Sequence, residues 1–296
     1  MSLDTVLQGI VFGILIGALY GLAAAGLSLV FGVLKVLNVA HGQLLMLGGY
    51  ASFWLFTSNG VDPFVSLVVS IPILFVIGIV LHRGLFVHII KLPEEIRIKN
   101  SLLIGFGLAL LLDNMAIRLW TADERSITTN YSGAALNLFN VSLPYVRVVS
   151  MLVALVAVLG LHLFLTRTYI GRSIKATAED WEAAALVGIN IDRTYLLAFA
   201  IGTALAGAAG SLIIIGYSIN PGIGLEWTLK ALVVIVLAGM GSVGGTLAGG
   251  VLLGVIESIS VYFTGGAYRE VVGLVMFLLV LFLRPQGLFG RKSRSQ

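Results

Sequence analysis

Apolar runs of 18 or more residues recur along the whole of this 296-residue chain, and nothing else in it limits the possible folds so strongly. As helix, such a run is about long enough to cross the hydrocarbon core of a bilayer. In hydrocarbon every backbone N–H and C=O needs an internal partner, so only helices or a closed barrel can span it, and the alternating pattern of barrel strands is absent. The chain therefore reads as an all-α polytopic membrane protein, one transmembrane domain over 1–296. A mean hydropathy of +1.04 leaves little chain for a soluble domain.

The spans fall at about 6–34, 40–56, 63–81, 102–120, 148–165, 195–217 and 271–283, with Asp62 and Pro63 as N-cap and first helical residue of the third. The first run has no basic residue ahead of it and is too long for a signal-peptide core, so it is expected to stay as a span. Residues 229–260 are harder to read. Four Lys/Arg lie between Arg83 and Lys99, four between Arg167 and Arg193, and four from Arg284 onward. Positive-inside reasoning puts all three clusters, including a basic tail at 284–296, in the cytoplasm and the N-terminus outside. Residues 218–268 must then cross an even number of times, which a single 32-residue helix would not do. A turn is expected in the glycine-rich run 239–245, making 229–238 a re-entrant half-helix and bringing the total to about eight membrane segments. The other reading is a loop on the cytoplasmic face between two full spans.

A similar break is expected at 35–42, where Asn38 and His41 interrupt an apolar run. The Gly48-Gly49 pair that follows parallels Gly249-Gly250 after the later turn, so the pattern admits a degenerate repeat of two halves, 1–147 and 148–290. Gly9, Gly13, Gly17 and Gly21 recur every fourth residue and put a close-packing seam on the first helix; Gly202-Ala206-Gly210 and Gly241-Gly245-Gly249 repeat the device. Such seams join helices within one chain or between subunits; internal packing is the preferred reading.

One polar segment interrupts the apolar chain. Ile174, Ala178, Trp181, Ala185 and Ile189 form a helical stripe, with Lys175, Glu179, Asp180 and Glu182 off it. Ser173 can cap the start and Gly188 can end the helix, giving a short surface helix at about 173–188. Periodicity alone fits a docking element and an idle connector equally.

Polar groups inside the spans are few: Asn38, His41, Gln43, Asp113, Asn114, Asn220, Lys230 and Glu257, with Ser242 at the suspected turn. Such groups usually face the bundle interior, lining a path or bonding one helix to another. Asn38, His41, Gln43, Asn114, Asn220 and Ser242 are the path candidates; Asp113 with Asn114 also suits helix-to-helix bonding. Lys230 and Glu257 are expected near the outer surface, where snorkelling satisfies them. No catalytic set emerges. Four histidines (His41, His82, His88, His162) lack metal-ligand spacing, and the absence of cysteine excludes disulfides and thiolate sites. There is no Walker A sequence or dinucleotide fingerprint, so any ATP used must be bound by another chain. No basic patch suggests nucleic acid.

Several ordered motifs resemble permease subunits of the branched-chain amino acid ABC importers, the LivH type, over nearly the whole chain. They are Asn38-Val39-Ala40-His41-Gly42, then Ala178-Glu179-Asp180 with Leu186, Gly188-Ile189-Asn190, Asp192 and Arg193, then Asn220-Pro221 with Gly224 and Lys230, Gly239 with Gly241-Ser242, and the closing Gly287-Leu288-Phe289-Gly290. Glu182-Ala183-Ala184 is similar to the EAA motif of other ABC importers, without their more distant proline pattern. The resemblance implies a translocation subunit of an ATP-driven importer in the bacterial inner membrane, for branched-chain amino acids or related small polar solutes. It also implies two ATP-binding partner subunits that hold ATP and magnesium, a second homologous permease, and a solute-binding protein outside. Ala178, Glu179, Asp180, Glu182, Ala183, Ala184 and Gly188 would couple to the ATPase. A stand-alone channel or secondary transporter is the alternative, and an integral membrane enzyme is disfavoured by the missing catalytic set.

Overall fold

The computed structural model describes residues 3–138, 141–239, 241–284 and 287–288. The chain is a polytopic helical membrane protein, and seven of its described helical stretches are long and apolar enough to cross a bilayer. In order, α1 (Leu3–Leu34), α2 (His41–Asn59), α3 (Leu67–Leu81), a π-helical turn (His82–Phe86), α4 (Val87–Ile90) and α5 (Glu94–Trp120) make the first part. A hairpin of β1 (Ala135–Leu138) and β2 (Val141–Pro144) leads to α6 (Tyr145–Arg167), followed by the short α7 (Tyr169–Glu179) and α8 (Trp181–Leu186). Then come α9 (Ile191–Gly216), α10 (Ile223–Ala238), α11 (Gly245–Thr264) and α12 (Arg269–Leu283).

The glycine seam of α1 is internal. A Cβ added at Gly17 would lie 2.6 Å from the Gly250 carbonyl oxygen and from Val251 Cα, and Gly13 and Gly254 abut each other's helices as closely, so α1 and α11 meet backbone to backbone. Glycine allows this because it has no side chain to hold the helices apart, and the close approach increases dispersion contact and lets backbone groups touch. The seam of α9 works in the same way, with Gly202 against Gly26 of α1 and Gly210 against Leu45 and Gly49 of α2. The core therefore centres on α1 and α9, whose middles are buried on every side.

Two helices begin inside the bundle. After Leu34 the chain turns at Lys35, which takes a left-handed φ of 53°. Residues 35–40 then run back along α1, and His41 opens α2 beside Ala23, roughly 16 Å of helix rise above Leu34. After Gly216 the chain does the same: Ile219 bridges to Arg125, and α10 opens at Ile223, with its Gly224 against Gly42. Each of the two core helices is thus followed by a six-residue non-helical return and a helix that starts at mid-bundle.

Several sequence expectations shift. The break in 229–260 forms at the glycine run, but α10 starts at Ile223, six residues earlier than expected, and its 16 residues rise roughly 24 Å. The turn is not at half depth: Gly241 packs on Gly32 near the end of α1, and Gly241 to Gly244 share a cavity wall with Ile174 and Ala178 of α7. It lies at the end of the bundle that carries α7 and α8, between α10, which begins at mid-bundle, and α11, which is long enough to span. In the added upstream turns Glu226 sits one turn before Lys230 and pairs with it at 2.6 Å. Asp62 caps a turn, its Oδ1 accepting the Phe64 amide at 2.9 Å, and α3 starts only at Leu67. The hairpin had no counterpart in the expectation; Gln8 pins it to α1 by bonding both the amide and the carbonyl of Ser142.

The described members of the three basic clusters share one end. Arg97 donates to the Leu34 carbonyl at the end of α1, Arg167 to Arg193 bracket α7 and α8, and beyond Arg284 the Leu288 amide reaches the Leu237 carbonyl at the end of α10. The tail from residue 289 lies outside the described residues.

Candidate functional site

The polar segment folds as two helices, and Asp180 divides them. Thr168 caps α7, its Oγ1 accepting the Gly171 amide at 3.0 Å. Ser173, expected as the cap, lies inside α7 and donates to the Tyr169 carbonyl. Asp180 takes an extended conformation, and its Oδ1 accepts the Ala183 amide at 2.9 Å to start α8. Aspartate is a strong N-cap because its side chain satisfies an amide the helix leaves orphaned. Gly188 then ends α8 at φ 88°, with its amide on Ala185 and that of Ile189 on Ala184, and Asn190 caps α9 through the Arg193 amide. Left-handed φ without strain is what glycine supplies here.

The kink breaks the expected stripe. Ile174 is buried and Ala178 packs on the core, but beyond Asp180 the buried residue is Ala184. Trp181 is 49% exposed and Leu186 89%, with Val187 beside it almost as open. Glu179, Asp180, Glu182 and Ala183 are exposed as well. Of the coupling candidates, Ala178 and Ala184 thus hold the element to the bundle, Asp180 and Gly188 shape it, and the rest face outward. The apolar knob of Trp181, Leu186 and Val187 was not among the coupling candidates, although Trp181 had been placed in the stripe and Leu186 in the motif.

The path candidates separate into three groups. Asn38, His41 and Gln43 are buried at the junction where α2 and α10 begin. The Asn38 side chain accepts the Ala40 amide, His41 Nε2 donates to the Ala23 carbonyl at 2.9 Å, and Gln43 Nε2 donates to Asp113 at 3.0 Å, tying α2 to α5. Because a carbonyl only accepts, that ring nitrogen of His41 carries the proton. Ser242 lies apart, in the wall of a cavity of about 510 Å³ that Lys35, His162, Lys175 and Glu179 also line. Asn220 is half-buried just ahead of α10, and Asn114 is exposed on the outer face of α5, bonded only to its own helix at Leu110. These residues do not form one continuous path in this conformation.

Glu257 is not a snorkelling surface group. Only 2% exposed, it accepts from Tyr20 Oη at 2.8 Å and from Arg269 Nε at 3.0 Å, and Arg269 also reaches the Tyr20 oxygen at 3.1 Å. Lys230 is also largely withdrawn, between Glu226 and Glu270 at 2.6 and 3.5 Å and over the Tyr20 ring. These groups come from α1, α10, α11 and α12, too far apart in sequence for any local spacing to join them.

At the opposite end of the bundle from α7, Tyr131 donates to Asp62 Oδ2 at 2.7 Å. Burial, and then this bond to a carboxylate, push the Tyr131 phenol up to about 12.

Comparison with known proteins follows the same outline. Residues 9–281 match the family model described as the branched-chain amino acid transport system permease component. The high-affinity branched-chain amino acid transport system permease protein BraD of Pseudomonas aeruginosa is 32% identical over 294 residues, covering 96% of each chain. LivH of Escherichia coli K12, which carries the same description, is 31% identical over 298 residues with the same coverage. Among solved structures, PsaBC from Streptococcus pneumoniae in complex with Fab aligns over 93% of this chain and 91% of that one, with 12% identity and a TM-score of 0.48.

Proposed function

The chain belongs to the family of branched-chain amino acid transport system permease components, and from that premise we propose that it is the translocation subunit of an ATP-driven importer for branched-chain amino acids or related small polar solutes. The observation that carries the ATP-driven part is α8. It is a six-residue helix, fixed at its start by Asp180, at its end by Gly188, and joined through the Asn190 cap to the long α9. Its three large apolar side chains, Trp181, Leu186 and Val187, are exposed among the described residues. On a short polar segment between two spans, exposed apolar surface of this kind suits docking to a protein partner.

In this reading two ATPase subunits, which hold the ATP and magnesium, dock from the cytoplasm, and α8 seats in a groove of one of them. Force on α8 passes through its caps into α7 and α9, while the cavity beside Ser242 gives α7 room to move against the ends of α1 and α6. A second homologous permease completes the pathway, and a solute-binding protein delivers the cargo outside. Gathering of the basic clusters at the α7 end supports an orientation with that end in the cytoplasm and the N-terminus outside. The matched order of elements after α1 and α9 supports reading 1–147 and 148–290 as degenerate halves.

Affinity purification of the tagged chain from its native membrane is expected to bring down an ATPase, and Leu186→Glu is expected to release it without changing the chain's own thermal stability. A chain that copurifies with no ATPase and carries solute without ATP would overturn the proposal.

A further inference from the structure

A cavity of about 310 Å³ opens between α10, α11 and α12, and its wall is unusual for a helical membrane bundle. Leu225, Leu229, Val233, Leu253 and Leu274 supply an apolar lining, and into it project Glu226, Lys230, Glu257 and Glu270. Arg269 stands behind Glu257. Its volume is at the low end of the range for small-molecule sites, about 300 to 1,000 Å³, so it suits one small solute. The floor is kept open by Gly273: a Cβ there would lie 3.0 Å from Glu257 Oε1 and 3.3 Å from Leu253 Cδ1.

The charges do not belong against lipid. A charged group facing hydrocarbon is expensive, and such groups ordinarily face a water-filled cavity or one another. Glu257, Arg269 and Glu270 lie within the two helical stretches, Gly245–Thr264 and Gly266–Leu283, that are long and apolar enough to cross a bilayer. Yet the side chains of Glu226 and Glu270 remain 44% and 60% exposed. Three carboxylates face two cations, so the site carries one negative charge in excess. Its weakest link is the 3.5 Å pair of Lys230 with Glu270, beside the shorter Lys230–Glu226 pair.

We propose that this cavity is a transit site for a zwitterionic amino acid with an apolar side chain, whose ammonium group meets Glu270 and Glu226, whose carboxylate meets Lys230, and whose side chain lies on Leu225, Leu229 and Leu274. The solute enters at the longer Lys230–Glu270 link, exchanging that ion pair for two of its own. Glu257, tied to Tyr20 and Arg269, is the fixed wall behind it. This deepens the transport reading, on which its cargo rests, and places selectivity for an α-amino acid in the membrane chain as well as in the delivering protein.

The test uses the whole importer in vesicles of phosphatidylcholine and phosphatidylglycerol, which carry no primary ammonium headgroup to act as ligand. Lys230→Gln and Glu270→Gln are expected to lower leucine uptake at least about tenfold, the effect of one lost charged hydrogen bond, while assembly and ATP hydrolysis persist. Leu229→Trp, which narrows the apolar wall, is expected to change the leucine-to-valine uptake ratio by about threefold or more in favour of valine. Because the chain has no cysteine, Leu229→Cys gives a direct binding readout: millimolar leucine, but not succinate, should protect it from a maleimide. Normal uptake in both charge variants, an unchanged ratio and no protection would overturn the site and leave the transport function standing. A wild-type complex that moves no amino acid but still shows leucine protection would do the reverse. If the charge variants fail to assemble, the ratio and the protection decide.

Discussion

The Gly42 amide, at the start of α2, donates to Thr228 Oγ1 on α10 at 2.8 Å. That hydroxyl in turn lies 3.0 Å from the Val39 carbonyl and 2.9 Å from the Gly224 carbonyl, so one side chain stitches the two helices that begin inside the bundle. Helix starts leave amides orphaned, and at this depth no bulk water is at hand to satisfy them. Thr228→Val keeps the shape and removes the acceptor, leaving the Gly42 amide buried without its partner. It should cost about 1–3 kcal/mol, the penalty for an unsatisfied buried group, read as a lower unfolding temperature in detergent, with Thr228→Ser close to wild type. Equal stability of the valine variant would show that another acceptor takes over.

Much of this arrangement was legible in the sequence, and the rest was hidden for separate physical reasons. Asn38 and His41 signalled the break after α1 because polar side chains interrupt an apolar run, and the glycine run 239–245 signalled the break after α10. At 217–222 the end of the span at Tyr217 was legible, but the fold back into the bundle was not, since it rests on the distant bridge of Ile219 to Arg125. Asp180 was hidden for another reason. Apolar residues happen to continue at helical spacing on both sides of it, so periodicity joined two helices that its carboxylate separates. The Tyr20–Glu257–Arg269 cluster shows the third kind of loss: its members are joined only by packing, and from the sequence alone Glu257 looked like a surface group.

Gly188 tests the claim that α8 must be held rigidly. Nothing lies within 4 Å of a Cβ placed there, so a substitution acts through φ alone. Asparagine tolerates the left-handed region, β-branched residues do not, and proline also loses the amide that bonds Ala185. ATP-driven uptake should therefore fall in the order Gly, Asn, Val, Pro, with membrane insertion intact throughout. Full uptake by Gly188→Pro would remove α8 from the coupling mechanism.

Tyr131 gives the loop between α5 and α6 a pH signature. Its phenol titrates at about 12 in the fold against an ordinary value of 10.0. A raised value for an acid means that the protonated form is favoured in the folded state, so the contribution is fully present below pH 10 and is lost as pH rises through 12. The stability difference between wild type and Tyr131→Phe should be constant from neutral pH to about 10 and then shrink, in paired thermal melts across that range. A difference that stays flat to pH 12 would mean that the bond to Asp62 contributes nothing.

Glu257 ties α1 and α12 to α11 through one carboxylate. Its carboxylate holds two donors on different helices, Tyr20 of α1 and Arg269 at the start of α12. Removing one partner of a buried pair strands the other charge, and Glu257→Ala should destabilise the chain by about 3 kcal/mol or more. Glu257→Gln keeps the shape and an acceptor for the Tyr20 hydroxyl while removing the charge, so its cost should be smaller. Replacing both charges, Glu257→Gln with Arg269→Gln, should recover part of the loss, because neither ion is then left unpaired. The unfolding midpoints of Glu257→Gln, Arg269→Gln and the double variant in detergent decide the matter. If the double variant is less stable than the sum of the two single ones predicts, the pair is not the unit that holds α12 to the bundle.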